Sequence, residues 1–530
     1  MTLIFYRGSY PPPPPADQDV TVAYLFSKSW DDFDYKTLFR LVVFDDSGEQ
    51  TNIGNLKIAF VGQEAGRTST SIPEQFNTLP DNFYSLGQDA DYYKNIVEHL
   101  SQATAIDILA ALGDVVHDPN RFIAAESEYA FRRSLMRSVS RSSIEHQFKR
   151  ILNHEAPLTD YKFFYEKAAN ERYSGIKVEF TVEPDAKPSS NIHILIGRNG
   201  VGKTTLLNSM VDALLPERGS VEETGYFASM ASFVTDISPL DDDYFAGIVS
   251  ISFSAFDPFL PPPDQSDTNV GLRYYYVGLK KRLGSQGTST VALKEKEDLC
   301  RDFIFSLRVC FSLTAKQERW SNAVMKLESD FNFAAMELRS LVDLHTADET
   351  SDRQQFSERA SALFMQMSSG HAIVLLTITK LIETVEEKTL VLIDEPESHL
   401  HPPLLSAFTR ALSDLLINRN GVAIVATHSP VVLQEVPKSC VSILRRSRLT
   451  ASVDRPEKET FAENVGVLTR EVFGLEVSKS GFHSLLETSV AEGRNYEDVV
   501  QEYQDQLGFE GRAILRSMIL MRDADQEIIE

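Results

Sequence analysis

The sequence predicts an α/β fold with an antiparallel β lobe and helical insertions. Three observations carry this. An apolar strand, Ile192-His193-Ile194-Leu195-Ile196, runs straight into a glycine-rich loop, and a helical stretch from Thr204 to Leu215 follows. Two uninterrupted apolar runs, Thr389 to Ile393 and Val422 to Ala426, suit strands of a parallel sheet covered on both faces. From Val20 to Gln63 the pattern is strand-rich. Phe39–Phe44 and Leu56–Val61 are rich in β-branched and aromatic residues, and Asp45-Asp46-Ser47-Gly48 supplies a turn after the first of them.

Taken in order, residues 1–19 form a proline-rich N-terminal segment, in which Pro11 to Pro15 set a stiff polyproline II spacer. Residues 20–190 are expected to be the β lobe with a helical insertion. Tyr93, Ile96, Val97 and Leu100 recur at helical spacing within 88–155, and Ile176 to Val182 returns to strand. Residues 191–285 hold the first part of the core, including a strand over about Ile248–Ser254 and the breaking loop Leu260-Pro261-Pro262-Pro263-Asp264. Residues 286–366 are a helical insertion without proline from 290 to 365. Two arms of about 30 residues would reach only about 45 Å, a short lever rather than a long coiled coil. Residues 367–450 complete the core, and 451–530 are a helical C-terminal extension. No internal repeat is present.

Composition narrows the class. The 530 residues include 76 acidic and 52 basic side chains, a formal charge of −24, which argues against coating DNA by bulk charge. Only Cys300, Cys310 and Cys440 occur, with no CxxC or metal spacing, so a reducing cytoplasm is the expected setting. No apolar run reaches membrane-spanning length, and MTLIFYRGSYPPPPP is not a signal peptide.

The glycine-rich loop reads Gly197-Arg198-Asn199-Gly200-Val201-Gly202-Lys203-Thr204, followed by Thr205. It fits G-x-x-x-x-G-K-[ST] between a strand and a helix, the context such a phosphate loop requires. Backbone N–H groups and the helix N-terminus face phosphates there, and glycines let the backbone approach. Lys203 is expected to bridge the outer phosphates of ATP, and Thr204 to ligate Mg²⁺. The apolar strand Leu390–Ile393 ends in Asp394 and Glu395. Asp394 is placed to hold Mg²⁺ and Glu395 to orient or deprotonate an attacking water.

Asp394-Glu395-Pro396-Glu397-Ser398-His399-Leu400-His401-Pro402 resembles the DEPExxLHP stretch of ABC-type ATPases of the RecF, OLD and SMC-like group. Ser368-Ser369-Gly370-His371 resembles the ABC signature, and Ala426-Thr427-His428-Ser429-Pro430 the switch-histidine strand. The resemblance implies an ABC-type P-loop ATPase head in which two protomers sandwich two nucleotides. Ser369 and Gly370 would then reach the γ-phosphate held by the other protomer, and His428 the one held by its own. The family's glutamine after the first helix is replaced. Ser254, within Val249–Asp257, would take its place toward Mg²⁺, which bears on the rate of hydrolysis more than on binding.

A finer similarity lies in Ser29-Trp30-Asp31-Asp32-Phe33, Ile53-Gly54-Asn55-Leu56-Lys57-Ile58, Tyr84-Ser85-Leu86-Gly87-Gln88-Asp89 with Tyr92-Tyr93, and Val465 to Leu475. These are similar to the PtuA-like ATPase subunits of Septu-type and retron-associated anti-phage systems. That resemblance implies an oligomer that holds an HNH-type nuclease subunit, and in retron relatives a reverse transcriptase and its RNA/DNA product. Arg132, Arg133, Arg137 and Arg141 step along one predicted helical stretch, a face for nucleic acid or for an acidic subunit. Arg445, Arg446 and Arg448 read as a solvated loop. Asp523-Ala524-Asp525 is a DxD in a charged tail, so no nuclease is expected within this chain. A RecF-like DNA clamp and an ATP-stabilised scaffold remain the alternatives.

Overall fold

The structure, a computed structural model, describes residues 2–8, 20–45, 48–155, 158–169, 174–215, 219–229, 238–240, 244–254, 257, 259–266, 271–283, 290–347, 353–447, 450–474 and 481–529. Pro11–Pro15, Asp46, Ser47, Arg448 and Leu475 lie outside the described residues.

Alternating apolar residues near the N-terminus build a sheet of their own. Its strands are β1 (Thr2–Arg7), β2 (Val20–Ser27), β3 (Leu38–Phe44), β4 (Gln50–Phe60), β5 (Gln75–Phe76) and β6 (Phe83–Gly87), in the order β5-β1-β2-β3-β4-β6. Ala23, Leu25, Leu41 and Val43 face a core roofed by helices. Val22, Tyr24, Val42 and Phe44 form a smaller cluster on the opposite face, the two-residue period of a pleated strand. The roof starts with α1 (Ala90–His99), capped by the Asp89 carboxylate, and α2 (Gln102–Leu112), capped by Ser101 and ended by Gly113 at φ 64°.

Two expectations change here. Thr2–Arg7, inside the supposed proline-rich segment, is a strand, and it pairs with β2 in parallel, so the sheet is not wholly antiparallel. Residues 20–190 are not one lobe either. The strands β7 (Tyr161–Lys167) and β8 (Ile176–Val182) belong to a second sheet. Periodicity marks a strand, but pairing is decided by residues far away in sequence.

The body follows. It contains β9 (Ile192–Gly197), α3 (Lys203–Leu214), β10 (Tyr226–Ser229), β11 (Ser238–Pro239), β12 (Gly247–Ser252) and β13 (Arg273–Gly278). Next come α4 (Lys296–Ser312), α5 (Thr314–Leu327), α6 (Phe331–Ala335), α7 (Gln354–Gln366) and α8 (Ser369–Thr384). It closes with β14 (Thr389–Asp394), α9 (Pro402–Arg419), β15 (Val422–Thr427), β16 (Val441–Ser447) and β17 (Thr450–Asp454). The central sheet runs β13-β12-β14-β15-β9-β16-β17, parallel except between β16 and β17. Leu195, Leu390, Leu392 and Ile424 face α3 and the antiparallel sheet β8-β7-β10-β11. Ile194, Val391, Ile393 and Val425 face the helices on the other side. Burial on both faces is why these strands read as unbroken apolar runs.

The helical insertion is a packed roof, not a lever. Phe303, Leu307, Trp320 and Phe356 are fully buried, and Trp320 Nε1 donates to Thr379 Oγ1 of α8 at 2.9 Å. The apolar stripes of α4 and α5 pack on α8, and α7 packs on α4, where Phe364 stacks on Phe303, so the helices close over the body instead of projecting as an arm. The extension from 451 is likewise not all helical, since Thr450–Asp454 is an edge strand. Beyond α10 (Val465–Phe473), the helices α11 (Phe482–Ala491), α12 (Tyr496–Glu502) and α13 (Phe509–Ile529) share a small core around Leu486, Val499 and Leu515. Among the described residues, no helix is long and apolar enough to cross a membrane.

The first domain is fastened to the body where the parallel strands begin. Arg273, opening β13, donates to Glu386 Oε1 at 2.5 Å and to the carbonyls of Met136 and Val139 at 2.7 and 2.6 Å. Glu386 also accepts from Ser140 N–H at 2.6 Å, and Glu387 pairs with Arg150. Asp89 pairs with Arg319 of α5 and, at 3.2 Å, with Arg419 at the end of α9. Burial alone would raise the Asp89 carboxyl, but the two guanidiniums outweigh it and hold it below the ordinary carboxylate range. The stabilisation is therefore present above that range and is lost as pH falls through the folded value. Asp89→Ala leaves the buried Arg419 guanidinium without this carboxylate and Arg319 with Asp91 at 3.6 Å. Unfolding in denaturant is expected to show a loss of about 3–5 kcal/mol; a loss under about 1 kcal/mol would mean that the arginines find other partners.

The basic stretch does not form one helical face. The chain breaks into a turn of helix over Tyr129–Arg133, a 3-10 turn over Leu135–Ser138 and an extended Val139. Arg137 binds Asp32 at 2.8 Å and stacks on Phe33, and Arg141 binds Glu126 and Glu145 at 2.5 and 3.0 Å. Arg132 and Arg133 are exposed, with Arg133 donating to the Tyr129 hydroxyl. Asp32 also pairs with buried Lys57 at 2.6 Å. The Asp32, Lys57 and Asp89 positions of the finer motifs thus hold the first domain together and onto the body.

Candidate active site

Parallel register brings the C-terminal ends of β9, β12, β14 and β15 side by side. Ser252 stands opposite Asp394, Asp394 opposite Ala426, and Ile196 opposite Thr427. Asp394 has the parity of Leu390 and Leu392, so its side chain falls on the face that carries α3. The phosphate loop spans Gly197 to Thr205 at that end. Gly197 is required by packing, since a Cβ there would lie 2.4 Å from the Leu444 carbonyl oxygen of β16. Gly200 and Gly202 take φ of 78° and 99°, which a side chain disfavours. Arg198, Asn199, Gly200 and Thr205 are exposed, Val201, Gly202 and Thr204 half-buried, and Lys203 buried.

Lys203 Nζ folds back over the loop. It donates to the carbonyls of Gly197 and Arg198 at 3.1 and 3.2 Å and lies 3.0 Å from His428 Nδ1. Burial lowers its pKa, an effect that Glu395, Asp394 and Glu397 oppose. His428 Nε2 lies 2.8 Å from Glu395 Oε1, and the His428 backbone N–H donates to Glu397 Oε1 at 2.5 Å. With the proton on Nε2, His428 donates to Glu395 and its Nδ1 accepts from Lys203. Glu395 sits at φ 48°, a left-handed conformation costing about 1–3 kcal/mol for a residue with a side chain. Its N–H donates to Ala426 O at 2.8 Å, which holds it there.

The Thr204 hydroxyl favours the charged form of the Asp394 carboxylate, yet Oδ1 is buried without a hydrogen-bond partner, as is Ser252 Oγ on the neighbouring strand. Such atoms suit oxygen ligation of a hard cation. Burial raises the Asp394 pKa to about 6; Glu395 and Asp257 add to the rise, and the Thr204 bond opposes it. The raised value means that folding is favoured by the protonated form, a contribution present below the ordinary aspartate range and lost as pH rises through about 6. Asp394→Asn is therefore expected to raise the melting temperature at pH 7.5 without Mg²⁺, the gain narrowing below about pH 6. Thermal scans that show equal or lower stability at pH 7.5 would overturn the reading of a strained carboxylate.

Ser254 lies two residues past the end of β12 and is half-buried, whereas Ser252 is the hydroxyl in register with Asp394. Ser252, Asp257 and Glu397 were missed by the sequence reading. The two-residue parity of β12 could have found Ser252. Arg446 was also misread. It projects from β16, not from a loop, with a guanidinium 3.8 Å from a Cβ built on Gly202. Together with Ile176, Val201, Thr205 and Leu444 it lines a groove beside the loop.

The signature residues stand apart from this cluster. Ser368 caps α8, Ser369 is exposed on its first turn, and Gly370 is buried against the chain that follows β14. A Cβ on Gly370 would lie 2.4 Å from His399 O, so only glycine fits. Strand order, loop position and the carboxylates at the end of β14 give the chain the α/β fold of an ABC-type P-loop head.

A protein-family model described as "AAA domain, putative AbiEii toxin, Type IV TA system" matches residues 301–434, from α4 through the switch histidine. The chain is 44% identical to Protein ea59 of Escherichia phage lambda over 531 residues, 98% of either protein. It belongs to the ea59 family. For this ea59-family chain, solved structures give looser overlaps. An ATP-binding cassette of an ABC transporter is 14% identical, covering 60% of this chain and 99% of its own, with a TM-score of 0.32. The SMC head domain from Thermotoga maritima is 15% identical, covering 56% and 99%, with a TM-score of 0.23.

Proposed function

We propose that this chain is an ATP-driven switch: it binds ATP with Mg²⁺, pairs head to head with a second copy, and hydrolyses the nucleotide slowly. The observation that carries the reading is the Lys203–His428–Glu395 chain beside Thr204–Asp394, all at one end of the parallel sheet. Lys203 would exchange its loop carbonyls for phosphate oxygens. Thr204 and Asp394, with the hydroxyls of Ser252 and Ser254, would hold Mg²⁺, which when bound neutralises phosphate charge. Glu395 would take a proton from water, kept in place by His428. The groove beside Arg446 would receive the nucleoside. Ser369 and Gly370, exposed or close-packed away from their own phosphate loop, would complete the site of the second copy.

In its finer form the switch governs an HNH-type nuclease subunit in conflict between phage and bacterial host, in the cytoplasm. The finer motifs support this, and a phage-encoded relative fits that setting. A separate first domain, anchored by Glu386 and Glu387 just ahead of β14, offers a route from nucleotide state to partner. Purification with the products of neighbouring genes in ATP tests it. A nuclease recovered in fixed ratio, whose DNA cleavage changes with nucleotide, supports the reading. A lone ATP-closed dimer that binds DNA with steep salt dependence would replace it with a DNA clamp.

A further inference from the structure

Three side chains distant in sequence meet beside the signature helix. Asp330 caps α6, His371 lies in the first turn of α8, and His401 caps α9. His371 Nε2 is 3.0 Å from Asp330 Oδ1, and His401 Nε2 is 3.3 Å from Asp330 Oδ2. One ligand atom from each lies within 4.8 Å of the others. The outer contacts are built as well. Ser368 Oγ lies 2.6 Å from His371 Nδ1, and the N–H groups of Asn332 and Phe333 hold the Asp330 carboxylate at 2.9 and 3.2 Å. His371 is buried against Phe333, whereas His401 is half-exposed, so the cluster opens to solvent on one side.

We propose that Asp330, His371 and His401 form a binding site for a divalent transition metal of the zinc class, separate from the Mg²⁺ ligands at Asp394. Two imidazole nitrogens and one carboxylate oxygen suit zinc, cobalt or nickel and not the all-oxygen preference of Mg²⁺ or Ca²⁺. Three protein ligands leave a fourth position for water or an incoming group. Without a metal, His371 Nε2–H donates to Asp330; with the metal on Nε2, the proton would sit on Nδ1 and donate to the Ser368 oxygen, the outer-shell arrangement that orients a metal-binding histidine. His401 Nδ1 accepts from Leu404 N–H only at 3.4 Å, a bond weak enough to yield when Nε2 takes the metal. The ion would staple three elements at the point where Gly370 packs on His399. It would thereby fix Ser369 relative to Glu395. Metal binding itself does not depend on the ATP reading.

The test is a Co²⁺ titration of chelator-treated full-length protein without nucleotide, read by visible d–d absorption and by equilibrium dialysis with elemental analysis. The wild type is expected to take up one equivalent with a nitrogen-ligated spectrum. His401→Ala, at a half-exposed position, should keep its far-UV circular dichroism and bind at least about tenfold more weakly. Ser368→Ala, which leaves all three ligands, should weaken binding to a lesser degree. Asp394→Asn should leave the spectrum unchanged. Absence of saturable uptake by the wild type, or equal uptake by Asp330→Asn/His401→Ala, overturns the site and leaves a hydrogen-bonded carboxylate between two imidazoles.

Discussion

Lys203→Ala is expected to reduce nucleotide binding to a small fraction of the wild type. Its ammonium is buried at the loop, 3.1 and 3.2 Å from two loop carbonyls that phosphate oxygens would replace. Charge-assisted hydrogen bonds in such a setting contribute about 1.5–3 kcal/mol each. Loss of two of them weakens ATP binding by at least about 100-fold. The fold should survive, because the side chain bonds only to the loop and to His428. Titration of a fluorescent ATP analogue checks this beside a thermal scan. A variant that stays folded and binds ATP as the wild type does removes Lys203 from the phosphate site. Loss of binding should bring loss of ATP-induced pairing, since the second copy would be engaged through nucleotide.

Glu395→Gln is expected to do the opposite to binding. The amide oxygen can still accept from His428 Nε2, so the arrangement at 2.8 Å is kept while basicity is lost. General-base catalysis contributes about 10²–10⁴-fold, and single-turnover hydrolysis should fall by that factor. ATP stays bound, and the paired form accumulates in light scattering after gel filtration. Turnover at the wild-type rate would show that Glu395 does not act on water. If binding is lost along with turnover, the left-handed backbone at Glu395 depends on the carboxylate, and its role is to shape the loop rather than to act as base.

The two variants separate binding from chemistry, and both concern residues whose types were legible in the chain. The loop Gly197–Thr204, the pair Asp394–Glu395 and the histidine after Val422–Ala426 stand in local patterns, because a loop that wraps phosphates and a strand buried on both faces impose their composition on contiguous residues. The helical character from Lys296 to Gln366 was equally clear, although Thr290–Leu293, read as helical, is a strand paired with Lys280–Leu283; the destination of the helices was not legible. An amphipathic stripe states that a face is buried, not what buries it, and here α8 and α9 of the body cover α4 and α5 while α7 packs on α4. The basic stretch failed for a related reason. Spacing by four assumed an unbroken helix, while the chain turns at Leu135–Ser138 and pairs Arg137 with Asp32.

By itself, then, the sequence determined the α/β class, the glycine-rich loop between a strand and a helix, the carboxylates at the end of β14 and the position of His428 after the next strand. Each follows from near-neighbour constraints of backbone and burial. Only the tertiary structure decided that β1 joins the first domain, that Asp89 reaches Arg319 and Arg419, that Ser252 stands beside Asp394, and that Asp330, His371 and His401 converge. Those are contacts between elements far apart along the chain. Their partners are chosen by packing of whole faces, and no local pattern of side chains encodes which face meets which.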